Sequence, residues 1–148
     1  MLENFDLSEY EKIFPYVSLP TPFGELLLFT PNSVAAWRAN TLFTKEPDTI
    51  EWINQFEMGS SFIDIGANMG VYSLWAALSV NAQVYAFKPE AENFRLLQKN
   101  ISINKLSAKI TAWPAAVFDE SKFSVLYLSC DEAASSYHSF DQSQWTLI

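Results

Sequence analysis

The chain of 148 residues holds one cysteine, Cys130, and one histidine, His138. A lone cysteine excludes an intrachain disulfide, so a reducing, cytoplasmic setting is expected. Basic residues are scarce as well: nine Lys and Arg stand against seventeen Asp and Glu, for a formal net charge of -8. Nucleic-acid contacts need clustered Lys and Arg, so no nucleic-acid partner is expected. Small anionic ligands stay open, because loop amides hold them without basic side chains. No run approaches the roughly 18 apolar residues that a membrane helix needs. Met1 to Tyr10 holds Glu3, Asp6 and Glu9 and has no apolar stretch, so neither a signal peptide nor a membrane partner is expected. Internal repeats and low-complexity tracts are missing too.

What is present is apolar. The composition is 49% hydrophobic and 16% aromatic, ample for the core of a globular chain with room for one domain. Residues 1–60 read as an N-terminal extension of helices plus a strand. A short helix is expected near Leu7 to Ile13, then an extended piece marked by Pro15, Pro20 and Pro22. Phe23-Gly24 reads as a turn and Glu25 to Phe29 as a strand. Ser33 is a candidate N-cap for a helix running through Trp37 to Leu42 and Phe43. Pro47 opens a further helix with Ile50, Ile53 and Phe56 on one face, and Gly59 is expected near its C-cap.

From residue 61 to 148 the pattern changes. Ser61 to Ile65 is a short apolar strand, Gly66 to Gly70 a tight loop, and Tyr72 to Leu78 an apolar helix. Gln83 to Phe87 is a second strand. Glu90 to Asn104 is an amphipathic helix with Phe94, Leu97, Ile101 and Asn104 at steps of three and four, and Lys109 to Trp113 is a third strand. This alternation predicts an α/β fold built on a parallel sheet. Ala116-Val117 and Ser124 to Leu128 read as further strands, and Ser135 to Ile148 shows no periodic signal.

The loop carries the chemistry. Asp64 sits in an otherwise apolar strand, where a carboxylate is costly unless hydrogen-bonded. At the carboxyl end of a parallel strand it faces the crevice where open α/β sheets bind ligands. Gly66 reaches backbone angles closed to other residues, and Gly70 removes a side chain where the helix approaches closely. The amides of Ala67, Asn68 and Met69 are expected to line the first turn of the helix. Together these features suit a ligand with a ribose, a carboxylate and an ammonium group. A tight connection with no ligand is the plainer alternative, with Asn68 capping the helix. The dinucleotide fingerprint GxGxxG is a poor match, because Asn68 stands where its middle glycine would be.

The segment Phe62 to Leu74 resembles the first motif of the FkbM-type S-adenosylmethionine-dependent methyltransferases. Val84 to Glu90, Asn93-Phe94, Leu97 and Asn100 to Asn104 are similar to that family's second strand and following helix. Ala115 to Val117 with Asp119 resembles its third block, and Thr44 to Pro47 with Trp52-Ile53 is like some members. The resemblance runs from about Thr41 to Ser136. It implies an incomplete Rossmann-like class I methyltransferase sheet and methyl transfer from S-adenosylmethionine to a hydroxyl oxygen on a small molecule or sugar. It also implies that Asp64, Gly66, Ala67, Asn68 and Gly70 hold the methionine end and ribose side, that Lys88 stands at the ribose and that Ala116 lies near the adenine, with Val117 flanking it. Glu46 would reach the cofactor's ammonium group. No residue is marked as catalytic.

Two departures stand out. Lys88 occupies a position where the family has a glutamate that accepts bonds from both ribose hydroxyls, and lysine has donors only. Glu90, two positions on, offers partial compensation. A phosphorylated ribose and a solvated surface lysine are the alternatives at this position. The stretch after Asn104 also holds no late acidic motif, which leads to the expectation of a split, truncated or decayed gene product. Its sheet would expose an apolar edge and face, and a second chain could cover them.

Among the remaining residues, His138 is expected to be solvent-exposed and Cys130 inert. Trp37, Trp52, Trp75 and Trp113 are expected in the core, with Trp145 open to either assignment. The acidic pairs Asp119-Glu120 and Asp131-Glu132 read as solvated turns, so no metal site is expected. Two alternatives stay open beside a methyltransferase: a non-catalytic module binding a nucleoside-like ligand or a protein, and a nicotinamide dehydrogenase fragment.

Overall fold

The architecture is that of a computed structural model, which describes residues 6–128, 133–135 and 139–140. The chain opens with α1 (Leu7–Lys12), a hairpin of β1 (Tyr16–Thr21) and β2 (Gly24–Phe29), then α2 (Ser33–Asn40) and α3 (Pro47–Asn54). The alternating region follows as β3 (Ser61–Ile65), α4 (Val71–Ser79), β4 (Gln83–Phe87), α5 (Ala91–Ile103) and β5 (Ile110–Trp113). The two-residue strands β6 (Leu126–Tyr127) and β7 (Ser139–Phe140) pair antiparallel.

β3, β4 and β5 form a parallel sheet in that order, with Asp64 opposite Ala86 and Ala86 opposite Ala112. Strand periodicity divides it into two faces. Phe62, Val84, Ala86 and Ile110 are buried against α4 and α5, where Leu74, Trp75, Leu96, Leu97 and Ile101 complete the core. α4 is apolar nearly all round because α3 packs on its other side through Ile50 and Ile53. Three parallel strands in this order, joined by two crossover helices, make half of a Rossmann-like sheet.

The opposite face is uncovered among the described residues. Ile63 and Ile65 are each 63% exposed, and Trp113 stacks on Phe87 with ring centroids 5.0 Å apart. The second edge of β3 pairs with no described strand.

The hairpin is tied to the sheet layer by Asn100 of α5 and by Asn104 at its C-cap. β2 uses one edge to pair with β1. On its other edge, Leu27 N donates to Asn104 Oδ1 at 2.9 Å, and Asn104 Nδ2 donates to Leu27 O at 2.6 Å. Phe29 N donates to Asn100 Oδ1 at 2.7 Å, and Asn100 Nδ2 donates to Met69 O at 2.8 Å. Side-chain amides thus satisfy backbone groups that a third strand would otherwise take.

Several expectations are corrected. The N-cap of α2 is Asn32, not Ser33: its side chain accepts from Ala35 N, and the helix stops at Asn40, before Leu42 and Phe43. α3 ends at Asn54 without glycine. Gly59 lies further on, at φ +80°, with its N–H on Val80 O. Ala116-Val117 forms no strand, and only Leu126–Tyr127 of the Ser124 to Leu128 segment does. Trp75 is core, but Trp37, Trp52 and Trp113 are 50%, 54% and 37% exposed. His138, Cys130, Asp131, Glu132 and Trp145 lie outside the described residues.

Candidate functional site

The site begins where β3 stops. After Ile65 the chain turns through Gly66 at φ +79°, Asn68 at φ +51° and Gly70 at φ +88° before entering α4. Gly66 N and Ala67 N both donate to Phe87 O at the end of β4, at 2.9 and 3.0 Å. Gly70 N donates to Ala67 O, and Met69 N to Asn68 Oδ1. The Gly66, Ala67 and Met69 amides are thereby committed to shaping the loop. Gly70 sits where α4 meets α5. A Cβ there would run into Leu97 Cδ1, as the close-approach argument anticipates.

That contact makes a prediction. Gly70→Ala combines a left-handed backbone with overlap against Leu97, and about 2–4 kcal/mol of stability should be lost. Gly66→Ala meets no atom within 4 Å, so only the backbone strain remains, about 1–2 kcal/mol. Urea denaturation of the two variants should show this difference. Equal losses would mean that helix packing does not require Gly70.

Asp64 points inward, toward α4. It accepts from Ser73 Oγ at 2.5 Å and from the Ser73 backbone N–H. Burial pushes its carboxyl up from the usual aspartate value, and these two bonds only partly oppose that. The carboxylate borders a cavity of about 170 Å³, shared with Gly66, Ala67 and Asn68 of the loop. The far wall comes from α2 and the turn after it. Arg38, Lys45 and Glu46 lie there, facing Tyr72 of α4.

Charge on that wall is organised. Lys45 Nζ lies 3.1 Å from Glu46 Oε1, and with the Tyr72 hydroxyl it holds the Glu46 carboxyl below its ordinary value. Tyr72 is pushed up to about 12 by burial and by donating to Glu46. It is therefore a hydrogen-bond donor across the accessible pH range, not a base. Sequence reasoning reached Glu46 but missed Arg38, Lys45 and Tyr72; only the three-dimensional approach of α2 to the glycine loop brings them in.

Lys88 follows the Phe87 carbonyl that anchors the loop. It is 7% exposed, which corrects the alternative of a solvated surface lysine. Burial lowers its pKa, with Glu90 opposing and Arg38 adding to the fall. Glu90 cannot stand in for a ribose acceptor: Oε1 accepts from Glu92 N at 2.7 Å and Oε2 from Asn93 N at 2.8 Å, capping α5. Ala116 is not brought to this cavity. It lines a separate groove with Val117, Phe118 and Phe123.

Residues 133–135 cross the same region. Asn32 Nδ2 donates to Ala133 O at 3.0 Å, and Arg38 Nε to Ala134 O at 2.5 Å. Asn68 Nδ2 donates to Ser135 O at 2.7 Å and to Ala134 O at 3.3 Å. Asn93 closes the set, with Nδ2 on Ser135 O and Oδ1 accepting from Ala134 N at 2.6 Å. The Asn68 side chain, expected to face a ligand, is spent on this segment. Among the described residues no cluster of three His, Cys, Asp or Glu could hold a metal ion, and no described helix is long and apolar enough to cross a membrane.

No protein-family model matches the chain, and no curated protein matches it. Solved structures do. TYW2 from P. horikoshii, in complex with MeSAdo, aligns at 18% identity over 68% of this chain and 36% of that one, with a TM-score of 0.49. The human methyltransferase 10 domain containing protein aligns at 18% over 58% and 54%, with a TM-score of 0.47. The M. jannaschii tRNA m1G37 methyltransferase aligns at 20% over 69% and 30%, with a TM-score of 0.45. The chain thus spans about a third to a half of the lengths of these structures, and the likeness is one of α/β fold.

Proposed function

We propose that the chain is the S-adenosylmethionine-binding half of a methyltransferase of the FkbM type, acting in a cytoplasmic setting on a hydroxyl oxygen of a small molecule or sugar. One observation carries this reading: a glycine loop and a partly buried carboxylate, Asp64, meet at the carboxyl ends of two parallel strands and border one cavity. Asp64 and Glu46 suit an ammonium group, and Arg38 and Lys45 suit a carboxylate, so the donor set fits the amino-acid end of the cofactor. When bound, the cofactor supplies a sulfonium leaving group, and the protein's contribution is alignment of the acceptor.

The ribose end fits less well, because Lys88 offers donors only and Glu90 is committed to α5. That observation, with the sheet face uncovered among the described residues, favours a second reading: a module that binds a nucleoside-like ligand or a protein without catalysis. Calorimetric titration with S-adenosylmethionine and S-adenosylhomocysteine tests the first reading. Saturable binding is expected, and Lys88→Glu should tighten it about tenfold by restoring a charge-assisted acceptor. If neither compound binds either protein, the reading is wrong.

A further inference from the structure

The crevice holds a guest from its own chain. Four side chains from separate places in the fold converge on three consecutive residues: Asn32 before α2, Arg38 within it, Asn68 in the glycine loop and Asn93 in the first turn of α5. Every one of them donates to a backbone carbonyl of residues 133–135. Two of these donors, Arg38 and Asn68, also line the cavity beside Asp64. Guanidinium and amide donors aimed at carbonyl oxygens are also the groups that take a ligand's carboxylate.

Two further observations fit. The cavity that Arg38 and Asn68 line is about 170 Å³, against the roughly 300–1,000 Å³ of pockets that enclose a drug-sized ligand. Ala134 is fully buried at φ +67°, a left-handed conformation disfavoured for a residue with a Cβ. The segment is therefore held in place against local backbone strain.

We infer that residues 133–135 form an autoinhibitory strap, which competes with a carboxylate-bearing ligand for the donors of Arg38 and Asn68 and must release them before that ligand can bind. The inference rests on the reading of the crevice as a ligand site. Its consequence is a reduced apparent affinity, because only the strap-open fraction binds. Asn93 is a positioning residue for the closed state: its side chain bonds to the strap and lies outside the cavity lining.

The test uses two variants of opposite sign. Asn93→Ala removes two bonds to the strap and should tighten binding of S-adenosylhomocysteine about tenfold by calorimetry. Ala134→Gly relieves the left-handed strain and should weaken binding severalfold. In the unaltered chain, saturating S-adenosylhomocysteine should speed hydrogen exchange at the Ala134 amide, which Asn93 protects in the closed state. Binding that is equal in all three proteins, or a ligand that slows this exchange, overturns the strap while leaving the crevice assignment standing. Absence of binding in all three overturns the crevice assignment and the strap with it.

Discussion

Asp64→Asn should raise the melting temperature near neutral pH while weakening binding of S-adenosylhomocysteine ten- to a hundredfold. The two effects have one origin. Burial raises the Asp64 pKa above its unfolded value, and the bonds from Ser73 do not fully offset this. A group with a raised folded pKa binds more protons folded than unfolded. Its contribution to stability is therefore best below the unfolded value and is lost as pH rises through the folded one. At neutral pH the ionised carboxylate is a burden on the fold. Asparagine removes the charge and keeps an oxygen to accept from Ser73, so the stability gain should shrink as pH falls toward 4. The binding loss follows from removing a charge-assisted partner, about 1.5–3 kcal/mol. Thermal melts at pH 7 and pH 4, with titrations alongside, check both. A variant less stable at pH 7 with unchanged affinity would mean that Asp64 serves the fold alone.

Asn100→Leu should be the most damaging substitution away from the site. Asn100 is fully buried and serves two distant groups, Phe29 N in the hairpin and Met69 O in the glycine loop. Leucine is of similar size and leaves both unsatisfied. At about 1–3 kcal/mol each, the loss is roughly 2–6 kcal/mol, or on the order of 5–20 °C in Tm. Asn104→Leu releases Leu27 N, Leu27 O and a bond to Asn100 O, but at the partly buried end of α5, where water can replace the lost partners, and it should cost less. Thermal denaturation of the pair decides the matter. A small loss for Asn100→Leu would show that water replaces the amide and that the hairpin is not locked to the loop.

These two residues also show which parts of the structure were legible in the sequence. β3, α4, β4 and α5 follow from local apolar periodicity, and the Asp64 to Gly70 loop from residue types within seven positions. The locks do not. Asn100 and Asn104 read as polar points on an amphipathic helix, and the partners they lock lie 31 to 77 residues away in the chain. The same holds for Asn68 and Asn93 with residues 133–135: a polar side chain announces a need for partners, not where they are. Local apolar character also misled. Trp37 and Trp52 sit in helices but are only half covered, Trp52 by Phe56 and Phe62 and Trp37 by Arg38 and Lys45, and among the described residues no strand pairs with Ala116-Val117. Lys88 was legible as a residue out of place. Its burial, and the loss of Glu90 to capping, needed the fold.

The most direct measurement of the central claim is amide chemical-shift mapping with S-adenosylhomocysteine. The account predicts saturable shifts at Asp64 to Tyr72, at Lys88 and at Ala133 to Ser135, with the β1-β2 hairpin unmoved. Shifts confined to the groove at Ala116 to Phe123, or none at saturating ligand, would contradict it.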